Sequence, residues 1–511
     1  MTDRQNQISE VVVTAAEMRA IENRLFAAGM PVAALMEKVA GLVTRRMRAE
    51  WERLGLTLPK VGVIVGPGHN GGDALVIARE LYLQGYDVAV TQPLGKLKEL
   101  TQSHAEYGKS LGIPWLSLEE LLQSCDLLID GLFGFGLERP ISGDLAEQVA
   151  QINQSKKRVF SIDLPSGIHT DTGEVLGCAI RADYTFCLGL WKRACLQDGA
   201  LEFLGKVELV DFGIPLGDIE AVLAESSRCY RITGQRAIAA LPLPRPLLFH
   251  KYKAGHLLLV CGSQEYAGSA ILTGLGARAS GVGMLSIAVP QSLKPLLVPQ
   301  LPEALIIPCP ETDTGAIAEL PDTLNWDKYQ AIACGPGITR SAASILPPLL
   351  QTSQPLILDA DGLNLLSDLG ISLLKGRSAP TLLTPHAGEF KRLFPEINPT
   401  GDRIQAVREA SQQTGAIVLL KGARTAIGSP TGTVYLNPES TPALARGGSG
   451  DVLTGLLGGL VAQLPPEIAI QSATWWHAQA GILAAQERTA LGVDAFHLTQ
   501  YLAPVVQRFL M

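Results

Sequence analysis

Short apolar runs alternate with helix-like segments along most of the chain, and they do so in two separate series. In the first, KVGVIVG leads to ALVIARELYLQG, YDVAVTQPL to SHAEYGKSLG, and DLLIDGLFG to ISGDLAEQVAQIN, before RVFSIDLPSG, ADYTFCLGL and KVELVDFG. The pattern pauses over GIPLGDIEAVLAESSRCYRITGQRAIAALPLPRPLLFHKYKAG, which reads as a linker plus an entry segment. It resumes as HLLLVCGS, GMLSIAVP, YQAIACGPG, PLILDADGLNLL, PTLLTPHAGEF and AIVLLKGARTAIG, and ends in long apolar helices. Apolar strands joined to helices by short connections imply a mainly parallel sheet covered by helices. The fold class is therefore α/β, in two domains, with a boundary expected near residues 216–228 and spans of 1–220 and 225–511. The length of 511 residues agrees, because one ordinary core does not grow so large. Ahead of the first series, Leu35, Met36, Val39, Leu42, Val43 and Met47 share one face of a helical pattern.

A net charge of −7 argues against a chain that coats nucleic acid or an acidic membrane. The eight cysteines stand singly, with no CxxC pair, and read as reduced thiols, most of them buried. The start, MTDRQNQISE, is polar and lacks the apolar core of a signal peptide. The most apolar stretch, VLTGLLGGLVAQLPPEIAI, is broken by Gln463, Pro465, Pro466 and Glu467, so a buried helix and turn fit it better than a membrane span. A cytoplasmic protein without nucleic-acid or membrane partners is expected. The composition is compatible with a homo-oligomer.

Ligands of such sheets lie at the carboxyl ends of the strands, which points to the loops after Val65, Asp130 and Asp163. The first is GPGHNGGDALVIARE. Its glycines and helix start suggest backbone N–H groups brought close to an anion. It lacks the Lys-Ser/Thr of a P-loop and the G-x-G-x-x-G spacing of a dinucleotide fingerprint, so it does not name its ligand. Asn70, Asp130 and Ser166 offer an amide oxygen, a carboxylate and a hydroxyl at three strand ends, a set suited to a hard, weakly charged cation. The competing reading makes Asp130 and Ser166 helix caps. Asp163 ends an apolar strand and is a candidate general acid or base. Lys192 follows a strand in LGLWKRACL. It reads either as a phosphate contact or, more commonly for such a residue, as a solvated surface lysine.

The sharper motif is ARGGSGDVLTG. Gly447, Gly448 and Gly450 make a backbone nest at a helix start, of the kind that neutralises a phosphoryl group in transfer. Asp451 stands at its mouth as a candidate base for an attacking hydroxyl. The competing reading is a glycine-rich helix entry with a cap. Lys421, Gly422 and Thr425 follow a strand and suit nucleotide phosphates, Gly337 lies in a close-approach loop, and His386 and Glu389 follow another strand. His386 reads as a contact for a polar substrate group or as a structural hydrogen-bonder. Without HxxxH or HExxH, zinc is not expected.

Taken in order, LMEKVAG, GPGHNGGDALVIARE, DGLFGFG and DLPSGI, then DADGLNLL, LTPHAGEF, LKGARTAI and GGSGDVLTG, resemble the signatures of the bifunctional NAD(P)H-hydrate repair enzymes over nearly the whole chain. The resemblance implies a Rossmann-like α/β/α sandwich that epimerises the R and S forms of hydrated NADH or NADPH. It also implies a ribokinase-like domain that dehydrates the S form with ADP, releasing AMP and phosphate. Carried over motif by motif, it makes Asn70, Asp130 and Ser166 potassium ligands. It assigns His69, Asn70, Gly71, Gly72, Asp73, Gly134, Phe135, Gly136, Leu137, Glu138, Arg139, Pro140 and Asp163 to the hydrate site of the epimerase. In the second domain it assigns Ala270, Gly337, His386 and Asp451 to the hydrate, and Lys421, Gly422, Ala423, Arg424, Thr425 and Gly450 to the nucleotide. Asp163 and Asp451 become the catalytic residues, ADP the co-substrate and magnesium the second domain's ion. His69 and Ala74 depart from the asparagine and glycine common in the family, and Ser449 from threonine. A small-molecule kinase is the main rival, since the same nest would serve ATP and an alcohol. A first domain that only binds is the non-enzymatic alternative.

Overall fold

The structure, a computed structural model, describes residues 3–224 and 228–510. Residues 225–227, inside the stretch where the sequence pattern pauses, lie outside the described residues, as do both extreme ends. The chain divides into two compact units, Met1–Arg228 and Cys229–Met511.

The first unit is built on a parallel sheet in the order Val88–Thr91, Val61–Val65, Leu127–Gly131, Arg158–Ile162, Tyr184–Leu188, Lys206–Val210. The chain runs outward from Val61–Val65 to Val88–Thr91 and then returns to place Leu127–Gly131 on the other side of Val61–Val65. That reversal opens a crevice at the carboxyl ends of these two strands, where ligands of such sheets bind. All five residues of Val61–Val65 and of Leu127–Gly131 are buried, as strands covered on both faces must be. The helix Val32–Arg53 buries Leu35, Met36, Val39, Val43 and Met47 against this core, while Leu42 packs at its edge. A second helix, Ala15–Ala27, starts with a capping box between Thr14 and Glu17. Outside the main sheet, Val11–Val13 pairs in parallel with Trp191–Lys192.

Part of the stretch read as linker belongs to the first unit. The helix Leu216–Leu223 buries Ile219 and Leu223 in that unit's core. In the second unit, Cys229–Arg231 is a strand pairing in parallel with Val434–Asn437, and Gly234–Ala239 is a helix. The prolines and polar residues suggested a linker because so short a strand and helix carry little periodicity.

The second unit's strands run in the order Leu305–Cys309, Met284–Pro290, His256–Val260, Ala331–Cys334, Leu356–Leu358, Thr381–Leu383, Ile417–Leu420, Thr425–Gly428, Val434–Asn437, Cys229–Arg231. Neighbours are parallel except on the two sides of Thr425–Gly428, which pairs antiparallel. The helices Ser449–Val461, Pro466–Arg488 and Ala495–Leu510 close the chain, the first almost wholly buried. Among the described residues no single helix is long and apolar enough to cross a membrane. The eight cysteines are free, and all but Cys178 are buried.

Candidate active sites

The loop after Val61–Val65 is tighter than its sequence suggested. The helix begins at His69, so Asn70, Gly71 and Gly72 already form its first turn. A Cβ on Gly66 would lie 1.7 Å from the carbonyl oxygen of Leu132, and one on Gly71 1.9 Å from that of Gly66. Close backbone-to-backbone packing therefore requires glycine at both positions. Their packing brings the strand end against the Leu132–Gly136 loop. Together they wall a cavity of about 480 Å³, lined by His69, Asn70 and Asp73, by Leu132 to Leu137, and by Asp163, Lys192 and Lys98. That is a volume typical of small-molecule sites.

Asp163 sits at the cavity floor with a left-handed backbone, φ +67°. A non-glycine residue held there is strained, and such strain clusters at functional sites. Phe135 N–H donates to its Oδ2 at 2.8 Å, and Leu188 N–H to its Oδ1 at 3.4 Å. Lys192 completes the set, its Nζ 2.6 Å from Asp163 Oδ1. Lys192 is fully buried, so it is not a solvated surface lysine, and its ammonium is engaged by Asp163 and the carbonyl of Leu188. Burial alone would lower its pKa, but the neighbouring Asp163 carboxylate raises it above the ordinary lysine value.

Asp130 is fully buried and accepts from Ser161 Oγ, from the backbone N–H and Oγ of Ser166, and from Leu132 N–H. Burial pushes its pKa up, and the groups relieving it are all uncharged. Ser166 Oγ in turn accepts from Phe133 N–H at 2.9 Å. Ser166 thus bonds Asp130 side chain to side chain as well as through its backbone. A Cβ on Gly134 would meet Asp163 Oδ2 at 2.9 Å and Asn70 Oδ1 at 3.2 Å, so the carboxylate and the amide oxygen converge on this glycine. Glu138, Arg139 and Pro140 continue this loop beyond the cavity lining.

Burial raises the pKa values of two acids on this cavity. Burial raises the Glu22 pKa to about 7, and burial beside Asp163 and Glu22 pushes Asp73 well above the carboxylate range. Glu22 escaped the sequence reading because it lies on an ordinary amphipathic helix. His69, the departure from the family's asparagine, lines the cavity, with its pKa lowered by burial and by Lys98. Ala74 is fully buried beneath Gly131.

In the second unit, Gly448 caps the helix Ser449–Val461 from a left-handed conformation, φ +87°. Gly450 and Asp451 fall in that helix's first turn, where free N–H groups favour anions. Lys421 Nζ lies 2.6 Å from Asp359 Oδ1, and Thr454 Oγ donates to Asp359 Oδ2 at 2.7 Å. A Cβ on Gly450 would meet Lys421 Nζ at 3.5 Å and Asp359 Oδ2 at 3.6 Å, so nest, lysine and acid share one place. Burial raises the Asp451 pKa to about 6, a hydrogen bond with Ser269 opposes the rise, and Asp359 adds to it. Asp359, Thr454 and Ser269 were not singled out from the sequence. Asp359 carries the same strand-end signal as Asp130 and was there to be found.

The other predicted positions are spread more widely. His386 caps the helix Ala387–Leu393, accepting from Gly388 and Glu389 N–H, and its ring lies 3.3 Å from Glu389. Glu389 lies 3.9 Å from Lys421, which links this cap to the nest. Ala270 is fully buried against Gly262, and Gly337, φ +66°, packs on Tyr266 and Ser269. Of the run Lys421, Gly422, Ala423, Arg424 and Thr425, Lys421 faces the nest and Arg424 lines a shallow cavity with Glu439, Thr441 and Gln486. Ser449 Oγ lies 3.3 Å from Nε2 of His477, a buried imidazole whose pKa burial lowers to about 4.

Comparison with known proteins decides between the readings. The family described as YjeF-related protein N-terminus matches residues 32–194, and that described as NAD(P)H-hydrate dehydratase matches residues 257–504. Over 504 residues the chain is 56% identical to the bifunctional NAD(P)H-hydrate repair enzyme Nnr of Synechocystis sp., covering 98% of this chain and 95% of the relative. The chain belongs to the bifunctional NAD(P)H-hydrate repair enzymes. A second relative in this family, from Thermosynechococcus vestitus, is 50% identical over 98% of each chain. Among solved structures, the ADP/ATP-dependent NAD(P)H-hydrate dehydratase of Bacillus subtilis co-crystallised with ATP/Mg2+ is 34% identical. It covers 54% of this chain and 97% of that one, with a TM-score of 0.48. The membership places an epimerase and a dehydratase in one chain, against the kinase and the binding-module alternatives.

Proposed function

We propose that the first unit interconverts the R and S hydrates of NADH and NADPH and that the second dehydrates the S form with ADP, releasing AMP and phosphate. The observation that carries this reading is the pairing of two dissimilar acids at two strand-end sites. One is a strained, lysine-paired Asp163 lining the cavity of the first unit, and the other is Asp451 in a glycine nest beside Lys421.

Epimerisation needs reversible loss of a hydroxyl from one ring carbon, so a proton must be given and another taken. Asp163 is placed to move a proton at the hydrated carbon, and Lys192 fixes its orientation. Asn70, Asp130 and Ser166 suit potassium, because the fully buried Asp130 carboxylate is relieved only by uncharged donors, from Ser161, Ser166 and Leu132. Phe133 adds a carbonyl oxygen 3.3 Å from Ser166 Oγ. When bound, the ion would supply positive charge beside the hydrate's polar groups.

In the second unit, Asp451 takes the proton of the hydrate hydroxyl as that oxygen attacks the β-phosphoryl group of ADP. AMP departs in that step as the bridging β-phosphorus–oxygen bond breaks; phosphate then leaves the ring carbon with the original oxygen, driven by the ring nitrogen's lone pair, and loss of a proton from the adjacent ring carbon to solvent restores the double bond of the reduced nicotinamide. The N–H groups at the helix start and Lys421 hold the phosphoryl charge. Asp359, Asp361 and Asp451 form an acidic surround that suits a magnesium ion carried mainly by the nucleotide. Arg424 and its shallow cavity are the proposed seat for the rest of the nucleotide. The buried reduced thiols fit a cytoplasmic enzyme.

The test is to supply mixed R and S hydrates and follow the return of reduced-nicotinamide absorbance. Complete return with ADP and none without it supports the reading. Return that halts at the S fraction removes the epimerase, and return without ADP removes the phosphoryl mechanism.

A further inference from the structure

Epimerising a hydroxyl-bearing carbon asks for two proton-transferring groups around one small cavity, because the hydroxyl departs from one face and water returns to the other. Asp163 accounts for one of them. The helix Ala15–Ala27 supplies the rest of the wall. Arg19, Glu22, Asn23 and Phe26, spaced to share one helical face, line the same cavity as Asp163, Asp73 and Lys192. This helix precedes the segment matched by the family pattern, which begins at residue 32.

Other charged groups of the helix are spent on structure. Glu17 closes the capping box with Thr14, and Arg24 Nε pairs with Asp218 at 2.9 Å on the neighbouring helix Leu216–Leu223. Glu22 is turned to the cavity instead, and its charged neighbours are those of the site: Lys192, Asp163 and Arg19. We propose that Glu22 is the second catalytic proton-transferring residue of the epimerase, acting from the wall formed by Ala15–Ala27 while Asp163 acts from the strand end. The proposal rests on the epimerase reading above.

The step balances as follows. In one direction Glu22, as the neutral acid, gives its proton to the hydroxyl. The carbon–oxygen bond breaks, its electron pair leaving with the oxygen as water, and the ring nitrogen's lone pair forms a carbon–nitrogen double bond. Water then adds to the other face and gives its extra proton to the Asp163 carboxylate. The proton passes back to Glu22 through solvent, so one water leaves, one enters and no redox change occurs. The reverse direction exchanges the roles.

The protonation of Glu22 supports this. Burial raises its pKa to about 7, and Asp163 adds to the rise, while Lys192 and Arg19 oppose it. The other titratable groups on the cavity are Asp73 and His69 of the helix His69–Leu83, and Lys98. The helix Val32–Arg53 contributes only apolar residues to the lining: Val32, Leu35, Met36 and Val39. A neutral Glu22 is therefore available near pH 7 and is lost as the pH rises through about 7.

The experiment compares full-length wild type with Glu22→Gln and Glu22→Asp, using pure R hydrate for epimerisation and pure S hydrate with ADP for dehydration. Glu22→Gln is expected to lower the epimerisation kcat about a hundredfold, with KM within about twofold. It should also erase the alkaline limb of the wild-type pH profile and leave dehydration untouched. Glu22→Asp should recover part of the rate. A Glu22→Gln variant with wild-type kcat and an unchanged alkaline limb overturns the proposal, as does one in which only KM rises. A wild type that leaves R hydrate unconverted overturns the epimerase reading itself, so the two failures are distinct.

Discussion

Asp163 Oδ1 lies 2.6 Å from Nζ of Lys192, with only 3% and 1% of the two side chains exposed. Removing one member of such a pair leaves an uncompensated buried charge, which costs about 3–5 kcal/mol. Lys192→Met is therefore expected to destabilise the first unit by that amount and to abolish epimerisation, because the orientation of Asp163 is lost. The double variant Asp163→Asn/Lys192→Met should recover most of the stability and none of the activity. Chemical denaturation of the full chain, read beside the R-hydrate assay, checks both. A stable Lys192→Met single variant would contradict the account of the pair.

Gly66 and Gly71 are fixed by close packing. A Cβ on Gly66 would sit 1.7 Å from a backbone oxygen, a contact that neither atom can escape by a rotamer change. Gly66→Ala is expected to cost about 1–3 kcal/mol or more, the range for overpacking. Gly68, two residues on, has no atom within 4 Å of its notional Cβ, so Gly68→Ala should be near neutral for stability. Equal effects of the two substitutions on the denaturation midpoint would show that the loop is not packed in this way.

The dehydratase should fade in acid. The Asp451 pKa is raised to about 6 by burial, with its hydrogen bond to Ser269 opposing and Asp359 adding. Its carboxylate is the form that accepts the hydroxyl proton, so activity is present above that value and falls as the pH drops through about 6. Asp451→Asn should lower kcat by about a hundred- to ten-thousandfold with ADP affinity near normal. It should also flatten the acid limb in whatever rate remains. A persistent acid limb in the Asn variant would assign it to another group.

Potassium is proposed to sit among Asn70, Asp130 and Ser166. Asp130→Ala removes the buried carboxylate, and epimerisation should fall while dehydration of pure S hydrate is retained. In the wild type, replacing potassium by lithium in the buffer should slow the epimerase alone. Equal loss of both activities would count against an ion local to the first unit.

The parallel sheets were legible because fully buried strands write themselves as continuous apolar runs. The carboxyl ends of three such runs lie at Val65, Asp130 and Asp163, and the cavity is lined at all three. What sequence reasoning missed depends on contacts between distant residues. The burial of Lys192 is not legible, because it lies in the short pairing of Trp191–Lys192 with Val11–Val13, for which neither segment carries a periodic signal. The packing that requires glycine at 66 and 71 is not written in the sequence, because the partners, Leu132 and Gly66 itself, meet them only in the folded loop. Glu22 looked like any polar residue on an amphipathic helix until the cavity it lines was assembled from elements far along the chain.

The central claim, two separate chemistries in one chain, is tested most directly by complementation. A racemic mixture of hydrates is supplied with ADP to Asp163→Asn, to Asp451→Asn, and to both variants together, and the reduced cofactor recovered at completion is measured. Recovery should stop at the S fraction with the first, be nearly absent with the second, and reach the wild-type level when the two are mixed. Failure of the mixture to pass the S fraction, or full recovery by Asp163→Asn alone, would contradict the account.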